Sequence, residues 1–269
     1  MKFNIPVGVN ILSPLSFKRP KNFLDAVQTF CDLLPDMLPE KWGWVEPLNQ
    51  GFDVHNLQKL VHANGVCETF DWLRKKQPKA EGSFRVRRHS KSLEVRDSHA
   101  RIEFTVELGQ IAQDLLITYL KQSSIRSKAD FSLVDALVEP YKGFAVESRS
   151  APYGDCFMVV THLLRHWLPD VFWGTVFGPA YVRFFGKENL LTAPAYTVEE
   201  LGPEMVYVQL TEKITDAAEN YPEVQACRQR FKEHFHNNAF FMSGKGYDYL
   251  EKTPVGDVFA VPNFELIPD

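Results

Sequence analysis

The chain has 269 residues, of which 45% are apolar and 24% charged, and its formal net charge is −4. This composition is typical of globular proteins, and a chain of this length can bury a large core without a disulfide or a metal ion. No apolar stretch approaches the ~20 residues that a membrane-spanning helix needs, and the first residues lack the pattern of a signal peptide. We therefore expect a cytoplasmic protein that does not cross a membrane.

The cysteines give no sign of a disulfide framework or a zinc site. There are four of them, and none is part of a Cys-x-x-Cys pair. Disulfides are rare in the cytoplasm, so we expect reduced and mostly buried thiols at Cys31, Cys67, Cys156 and Cys227.

Charge is distributed unevenly along the chain. Residues 1–134 contain 19 Lys/Arg and 15 Asp/Glu, a balance of +4, whereas residues 135–269 contain 11 and 19, a balance of −8. An acidic half disfavours nucleic acid as a ligand and favours a basic partner, although a charged surface can also serve solubility alone.

The first half begins with a predicted strand over residues 3–15, which Pro6 places at a sheet edge. Pro20 begins a predicted helix that ends at Pro35. Further helices are predicted by apolar spacing, and then, from Gly82 onward, a period of two predicts three antiparallel strands with a polar outer face. These later elements are helices near 53–61 and 66–76 and strands near 84–86, 93–95 and 102–108.

In the second half, Pro179 and Gly186 delimit a short predicted helix, since proline suits a first helical position and glycine a helix end. Residues 201–203 form the turn of a predicted hairpin. The remaining predicted elements are helices near 110–121, 155–168 and 222–236, a helical patch at 133–137, and strands near 144–146, 194–200, 204–211 and 257–262.

The strands cluster in hairpins rather than alternating singly with helices, which favours an α+β fold over a doubly wound parallel sheet. We predict antiparallel sheet flanked by helices, either as one arrangement or as two similar α+β halves packed together. The chain is interpreted as a single domain over residues 1–269, with a subdivision into 1–143 and 144–269 as the alternative.

His162 and His166 could face one side of a helix, with Cys156 as a third ligand. Paired histidines four residues apart bind zinc in metalloproteases, but those sites have a glutamate beside the first histidine, where this chain has Leu163. A metal-dependent hydrolase is therefore only an alternative hypothesis, and two half-buried histidines on an amphipathic helix explain the pattern better, because the ligand count and the general base are both incomplete. The chain also lacks G-x-S-x-G and G-x-x-x-x-G-K-[ST], so we expect no enzymatic activity and no cofactor.

The most basic stretch covers residues 74–101 and could follow a phosphate backbone. Glu81, Glu94 and Asp97 interrupt it, and Arg85 and Arg87 occupy outward positions of an alternating strand, as on any solvated sheet face. A nucleic-acid-binding module is thus a second alternative, and we expect no nucleic acid as the main partner.

The acidic stretch lies on the predicted hairpin and the connection after it. Its functional interpretation is a surface that meets a basic partner, and the alternative is a solvated edge. The candidate partner-binding residues are Glu199, Glu200, Glu204, Glu212, Asp216 and Glu219, with Trp44 and Glu46 as secondary candidates.

Two aromatic, turn-rich segments carry a family resemblance. One is Trp42-Gly43 followed by Glu46-Pro47. The other begins Trp173-Gly174 and continues through Phe177-Gly178-Pro179-Ala180-Tyr181-Val182-Arg183-Phe184-Phe185-Gly186-Lys187-Glu188, Leu190-Leu191-Thr192-Ala193-Pro194-Ala195-Tyr196 and Val208-Gln209-Leu210-Thr211. Together they resemble the immunity protein 52 family of bacterial polymorphic toxin systems, over roughly residues 170–240.

The resemblance implies an antitoxin without catalysis of its own. Such proteins bind a toxin encoded beside them, typically a nuclease domain of restriction-endonuclease type, which a secretion system such as type VI delivers between competing bacteria. It implies that this chain, a monomer or weak dimer, covers the basic surface of a nuclease directly.

Overall fold

In the computed structural model, the described part of the chain comprises residues 5–61, 66, 69–87, 99–138, 161–165, 167–235, 238–240, 247–248, 253–254 and 259–268. Its helices are α1 (Pro20–Leu33), α2 (Gln113–Arg126), α3 (Pro179–Phe185), α4 (Lys187–Leu191), α5 (Asp216–Glu219) and α6 (Tyr221–His234). Short 3₁₀ helices span Pro35–Met37, Val54–Leu60, Leu108–Gln110 and Thr161–Arg165.

A ten-stranded sheet in the order β3-β2-β4-β5-β6-β1-β7-β8-β10-β9 forms the centre of the molecule, and every neighbouring pair is antiparallel. Its strands are β1 (Pro6–Ser13), β2 (Lys41–Gly43), β3 (Gln50–Gly51), β4 (Thr69–Arg74), β5 (Ala80–Arg85), β6 (Ala100–Glu107), β7 (Phe131–Ala136), β8 (Gly174–Phe177), β9 (Thr197–Glu200) and β10 (Val206–Gln209). A separate ladder pairs β11 (Tyr247–Asp248) with β12 (Thr253–Pro254).

The sheet carries a hydrophobic core on each face, because alternate residues of a strand point to opposite sides. On the first side, called here the α2 face, Val9, Val134 and Tyr207 belong to one buried cluster with α1 and α2. On the other side, called the α6 face, Leu133 and Val208 belong to a second cluster with α3 and α6.

Strand β7 corrects the helical patch predicted at 133–137. All six of its residues are buried, and it lies between β1 and β8. A strand covered on both faces lacks the polar-apolar alternation that identifies half-exposed strands, so periodicity alone does not distinguish it from a buried helix.

Three further predictions are wrong. The helix predicted at 66–76 is strand β4, in which Phe70 and Trp72 point to the core and pair with β5. Strand β1 is not at an edge but sits between β6 and β7. Pro6 is its first residue, where the missing amide hydrogen costs little. The described residues 259–262 form no strand, contrary to the prediction for 257–262.

The structure confirms an α+β fold with an antiparallel sheet, and it confirms α1, α3, α6 and the β9–β10 hairpin close to their predicted bounds. The division into two similar halves stays a prediction, and its boundary at 143 lies outside the described residues, as do the strands predicted at 93–95 and 144–146.

Cys31 and Cys227 are free and buried. No helix in the described ranges is long and apolar enough to cross a membrane.

Candidate partner-binding surface

The acidic candidates centre on the β9–β10 hairpin, whose two strands end the ten-stranded sheet. The turn between them is closed by a hydrogen bond from the Leu201 amide to the Met205 carbonyl, 2.9 Å long. Gly202 has a φ of +125° in this turn, a conformation that side chains disfavour, so glycine is required there. The turn fixes the register in which Glu199 lies opposite Tyr207 and Glu200 opposite Val206.

Glu199 and Glu200 lie on opposite faces of the terminal strand. Glu199 shares the α2 face with Tyr207, and its Oε2 lies 2.5 Å from Nζ of Lys121 in α2. That ammonium also sits 4.3 Å from the centre of the Tyr207 ring, a cation–π contact. On the α6 face, Glu200 Oε1 lies 2.6 Å from Nζ of Lys187 in α4. One helix on each side of the sheet therefore supplies a cation to the edge.

Tyr207 is the polar anchor beneath this edge. Burial, with Glu199 and Asp114 nearby, raises the pKa of its phenol above the ordinary value, so the hydroxyl stays protonated. It donates a 2.9 Å hydrogen bond to Gln209 Oε1. The phenol thus holds the ring in place under the Lys121 ammonium.

Glu204 completes the hairpin carboxylates from the turn. Its Oε1 lies 3.5 Å from Nη1 of Arg183 in α3, and the other nitrogen of that guanidinium lies 3.0 Å from Glu265. The side chains of Glu199, Glu200 and Glu204 remain 48%, 47% and 59% exposed. The hairpin is therefore less negative than its sequence suggests, yet its carboxylates stay open to a partner.

The other acidic candidates form a second group at the opposite end of β10. Glu212 and Glu219 are exposed, and the Asp216 carboxylate accepts a 3.3 Å hydrogen bond from the Lys213 amide. The side-chain amide of Gln113 at the start of α2 binds this connection through the Glu212 carbonyl and the Ile214 amide. The six acidic candidates therefore divide into two groups of three.

The structure separates Trp44 and Glu46 from both groups. They follow β2, which lies eight strand positions from β9, roughly 38 Å along the sheet at the usual strand spacing. Trp44 is half-buried and packs against the core residues Phe23 and Phe70, with its ring centre 5.7 and 5.6 Å from theirs. Glu46 is exposed. Glu46 and the hairpin therefore lie near opposite ends of the sheet.

Glu46 belongs to a different charged group on the outer part of the sheet. Burial raises the pKa of Asp71 in β4 above its ordinary value, while Arg85 opposes the rise and Glu103 and Glu46 add to it. Arg85 and Arg101 both pair with Glu103, at 2.9 Å each. The two guanidinium groups offset most of the negative charge that Asp71, Glu103 and Glu46 bring to this region.

The basic stretch 74–101 does not present a continuous cationic surface in its described part. Arg74 donates to the Leu38 and Gln77 carbonyls, and Arg87 is buried and donates to the Ile267 carbonyl, so it is not outward as predicted. The lysines of the β4–β5 turn remain exposed. Arg88, Lys91 and Arg96 lie outside the described residues, and nucleic-acid binding stays an untested alternative.

The metal hypothesis also falls mainly outside the described part of the chain. Cys156 and His166 are not described, and His162 is described only as backbone within the 3₁₀ helix Thr161–Arg165. Elsewhere, no three described His, Cys, Asp or Glu side chains are grouped so that they could hold a metal ion.

Sequence reasoning missed Tyr196 as a surface residue. It immediately precedes β9 and is 57% exposed, whereas large side chains in this part of the fold are mostly buried. The sequence signal for this exposure is its position between Pro194 and an edge strand. No sequence signal indicates that the cations Lys121, Lys187 and Arg183 pair with the hairpin, because only the tertiary structure brings them there.

Comparison with known proteins yields a fold relationship. No family model matches the sequence, and no curated protein matches it. Among solved structures, the T6SS protein PA0821 of Pseudomonas aeruginosa aligns with a TM-score of 0.50 and 11% identity, covering 84% of this chain and 76% of that one. At this identity the likeness shows a shared fold, and the resemblance to the immunity protein 52 family stays a prediction.

Proposed function

We propose that this chain is an immunity protein that binds a cognate bacterial toxin and neutralises it by direct occlusion. The observation that carries the proposal is the terminal hairpin, where three half-exposed carboxylates face solvent at the end of the sheet. The shared fold with a T6SS protein agrees with a role in a secretion-system conflict, and so does the family-like segment 173–211.

The hairpin suits a basic partner even though its carboxylates are ion-paired. Exposed ion pairs contribute only about 0–1 kcal/mol each, so an incoming guanidinium can replace Lys187 or Arg183 at small cost. Complementary charge also speeds the diffusional encounter of two proteins. A nuclease toxin, whose substrate is a polyanion, presents the kind of basic surface that this hairpin would cover.

The mechanism of neutralisation requires no chemistry from this chain. Occlusion needs shape and charge complementarity over about 800 Å² per partner. We propose that the protein acts in the cytoplasm as a monomer or weak dimer, without cofactor, by binding its toxin in a 1:1 complex.

Co-expression with the toxin encoded by the adjacent gene tests this proposal. The chain should restore growth to cells that express the toxin, and the two purified proteins should form a 1:1 complex by calorimetry. Glu200→Lys should weaken the complex, whereas Glu46→Lys, at the far end of the sheet, is the matched control and should not. Absence of both binding and rescue by the wild-type chain would reject the function.

A further inference from the structure

The outer side of β9 offers backbone groups for a further strand. In the described part of the chain, β9 pairs only with β10. Because the Leu201 amide points to β10, the amides and carbonyls of Glu199 and Thr197 point there as well. The backbone groups of the alternate residues, Val198 and Glu200, therefore point away from the sheet.

The side chains of this edge match an added strand of defined charge. A residue opposite Glu200 in such a strand would lie on the α6 face, and its immediate neighbour, opposite Glu199, would lie on the α2 face. Two consecutive basic residues would thus each meet a carboxylate. Tyr196, exposed immediately before β9, supplies an aromatic contact of the type enriched at interfaces.

We propose that β9 receives an extended segment of the toxin as an eleventh strand, and that this segment carries two adjacent Lys or Arg residues. The inference rests on the proposed function and specifies how the toxin is held. Main-chain hydrogen bonds to Val198 and Glu200 provide affinity, and the carboxylates on the two faces select the basic pair.

A second copy of this chain fits the same edge less well. Pairing β9 with β9 across a two-fold axis would bring Glu199 and Glu200 of both copies into one seam. Like charges on neighbouring strands destabilise the pairing. Charged side chains of this kind normally keep sheet edges from self-association, and a cationic strand turns the same feature into attraction.

Residue-resolved hydrogen exchange, with and without the toxin domain from the adjacent gene, tests the proposal. The Val198 and Glu200 amides should exchange rapidly in the free protein and at least about tenfold more slowly in the complex, as ladder hydrogen bonds protect them. Val198→Pro removes an outward amide without touching the β9–β10 ladder and should weaken binding about tenfold. Val198→Thr keeps the amide and should change binding by only about twofold.

The possible results distinguish the strand-addition proposal from the immunity function on which it rests. If the wild-type chain neutralises the toxin while both amides exchange at unchanged rates, the strand-addition mode is wrong and the immunity function stands. This measurement decides even if Val198→Pro fails to fold. Protection that appears without toxin and grows with protein concentration would assign the edge to a second copy. If the wild-type chain neither binds nor rescues, both proposals fall.

Discussion

Asp135 of β7 and Arg228 of α6 form an ion pair with no exposed surface on either side chain, and Oδ2 lies 2.5 Å from Nη2. The same carboxylate accepts hydrogen bonds from the Trp173 and Ala136 amides, each 2.8 Å long. Arg228 Nε donates to the Val171 carbonyl at 3.0 Å. This pair connects α6 to the middle of the sheet through buried polar contacts.

Removing one member of this pair should destabilise the fold strongly. Arg228→Met leaves a buried carboxylate without its cation, a loss expected to cost about 3–5 kcal/mol in the free energy of unfolding. Urea denaturation followed by tryptophan fluorescence measures the loss. The double variant Asp135→Asn/Arg228→Met should lose much less stability than the sum of the losses in the two single variants. Strictly additive losses would show that the ion pair does not cause them.

The Arg228→Met variant should also depend on pH in a defined direction. Burial already raises the pKa of Asp135, and Arg228 opposes that rise. Without Arg228 the folded-state pKa rises further above the unfolded value. A raised carboxyl pKa contributes stability at low pH that is lost as pH increases, so the deficit of the variant should be smaller at pH 4 than at pH 8.

Gly178, in the family-like segment, allows two backbones to touch. A Cβ at this position would lie 1.8 Å from the Ala129 carbonyl oxygen, and the Gly178 amide donates a 2.8 Å hydrogen bond to the Asp130 carbonyl. Gly178→Ala should therefore cost about 3 kcal/mol of stability, measured by urea denaturation. Gly51→Ala is the matched control, since its Cβ would meet nothing within 4 Å. Equal stability of the two variants would contradict the close approach.

Local signals predicted those elements whose boundaries are coded by neighbouring residues. Helix α3 begins at Pro179 and ends before Gly186, whose φ is +84°, as the proline and glycine positions indicate. The β9–β10 hairpin was likewise found from its turn residues. Strand β7 was missed because neighbours on both faces, far away in sequence, decide its structure.

The candidate surface was predictable in its charge but not in its geometry. The sequence shows the acidic run, but Lys121 is 78 positions from Glu199, and no local pattern connects them. Nor does composition reveal that Trp44 and Glu46 lie at the opposite end of the sheet from the hairpin. Such relationships depend on strand order, which tertiary packing determines.

Glu40 should give the protein a characteristic response to acid. Hydrogen bonds from the backbone amides of Lys76 and Lys75 lower the pKa of this carboxyl to about 2. A lowered pKa means that the stabilisation is complete above the ordinary value of 4.5 and is lost as pH falls toward about 2. The stability difference between wild type and Glu40→Gln, measured by urea denaturation, should therefore shrink over that range.

A companion variant separates the backbone contribution from the side chain of Lys76. Lys76→Met keeps both amides and removes the ammonium that lies 3.2 Å from Glu40 Oε1. Because the amides are the main cause of the lowered pKa, this variant should retain most of the pH dependence. Its complete loss would instead assign the effect to the ion pair.

Two substitutions at the hairpin should change the rate of toxin association in opposite directions. Glu200→Gln removes a carboxylate that a basic partner meets and should slow association roughly two- to threefold at low salt. Lys187→Gln removes the cation that neutralises Glu200 and should speed it by a similar factor. Stopped-flow mixing with the toxin domain measures both rates, and Glu46→Gln serves as the control at the far end of the sheet.

Both effects on the association rate should fade near 0.5 M salt, where the screening length falls to about 4 Å. Rate changes of the same sign in the two variants would remove the hairpin from the encounter surface.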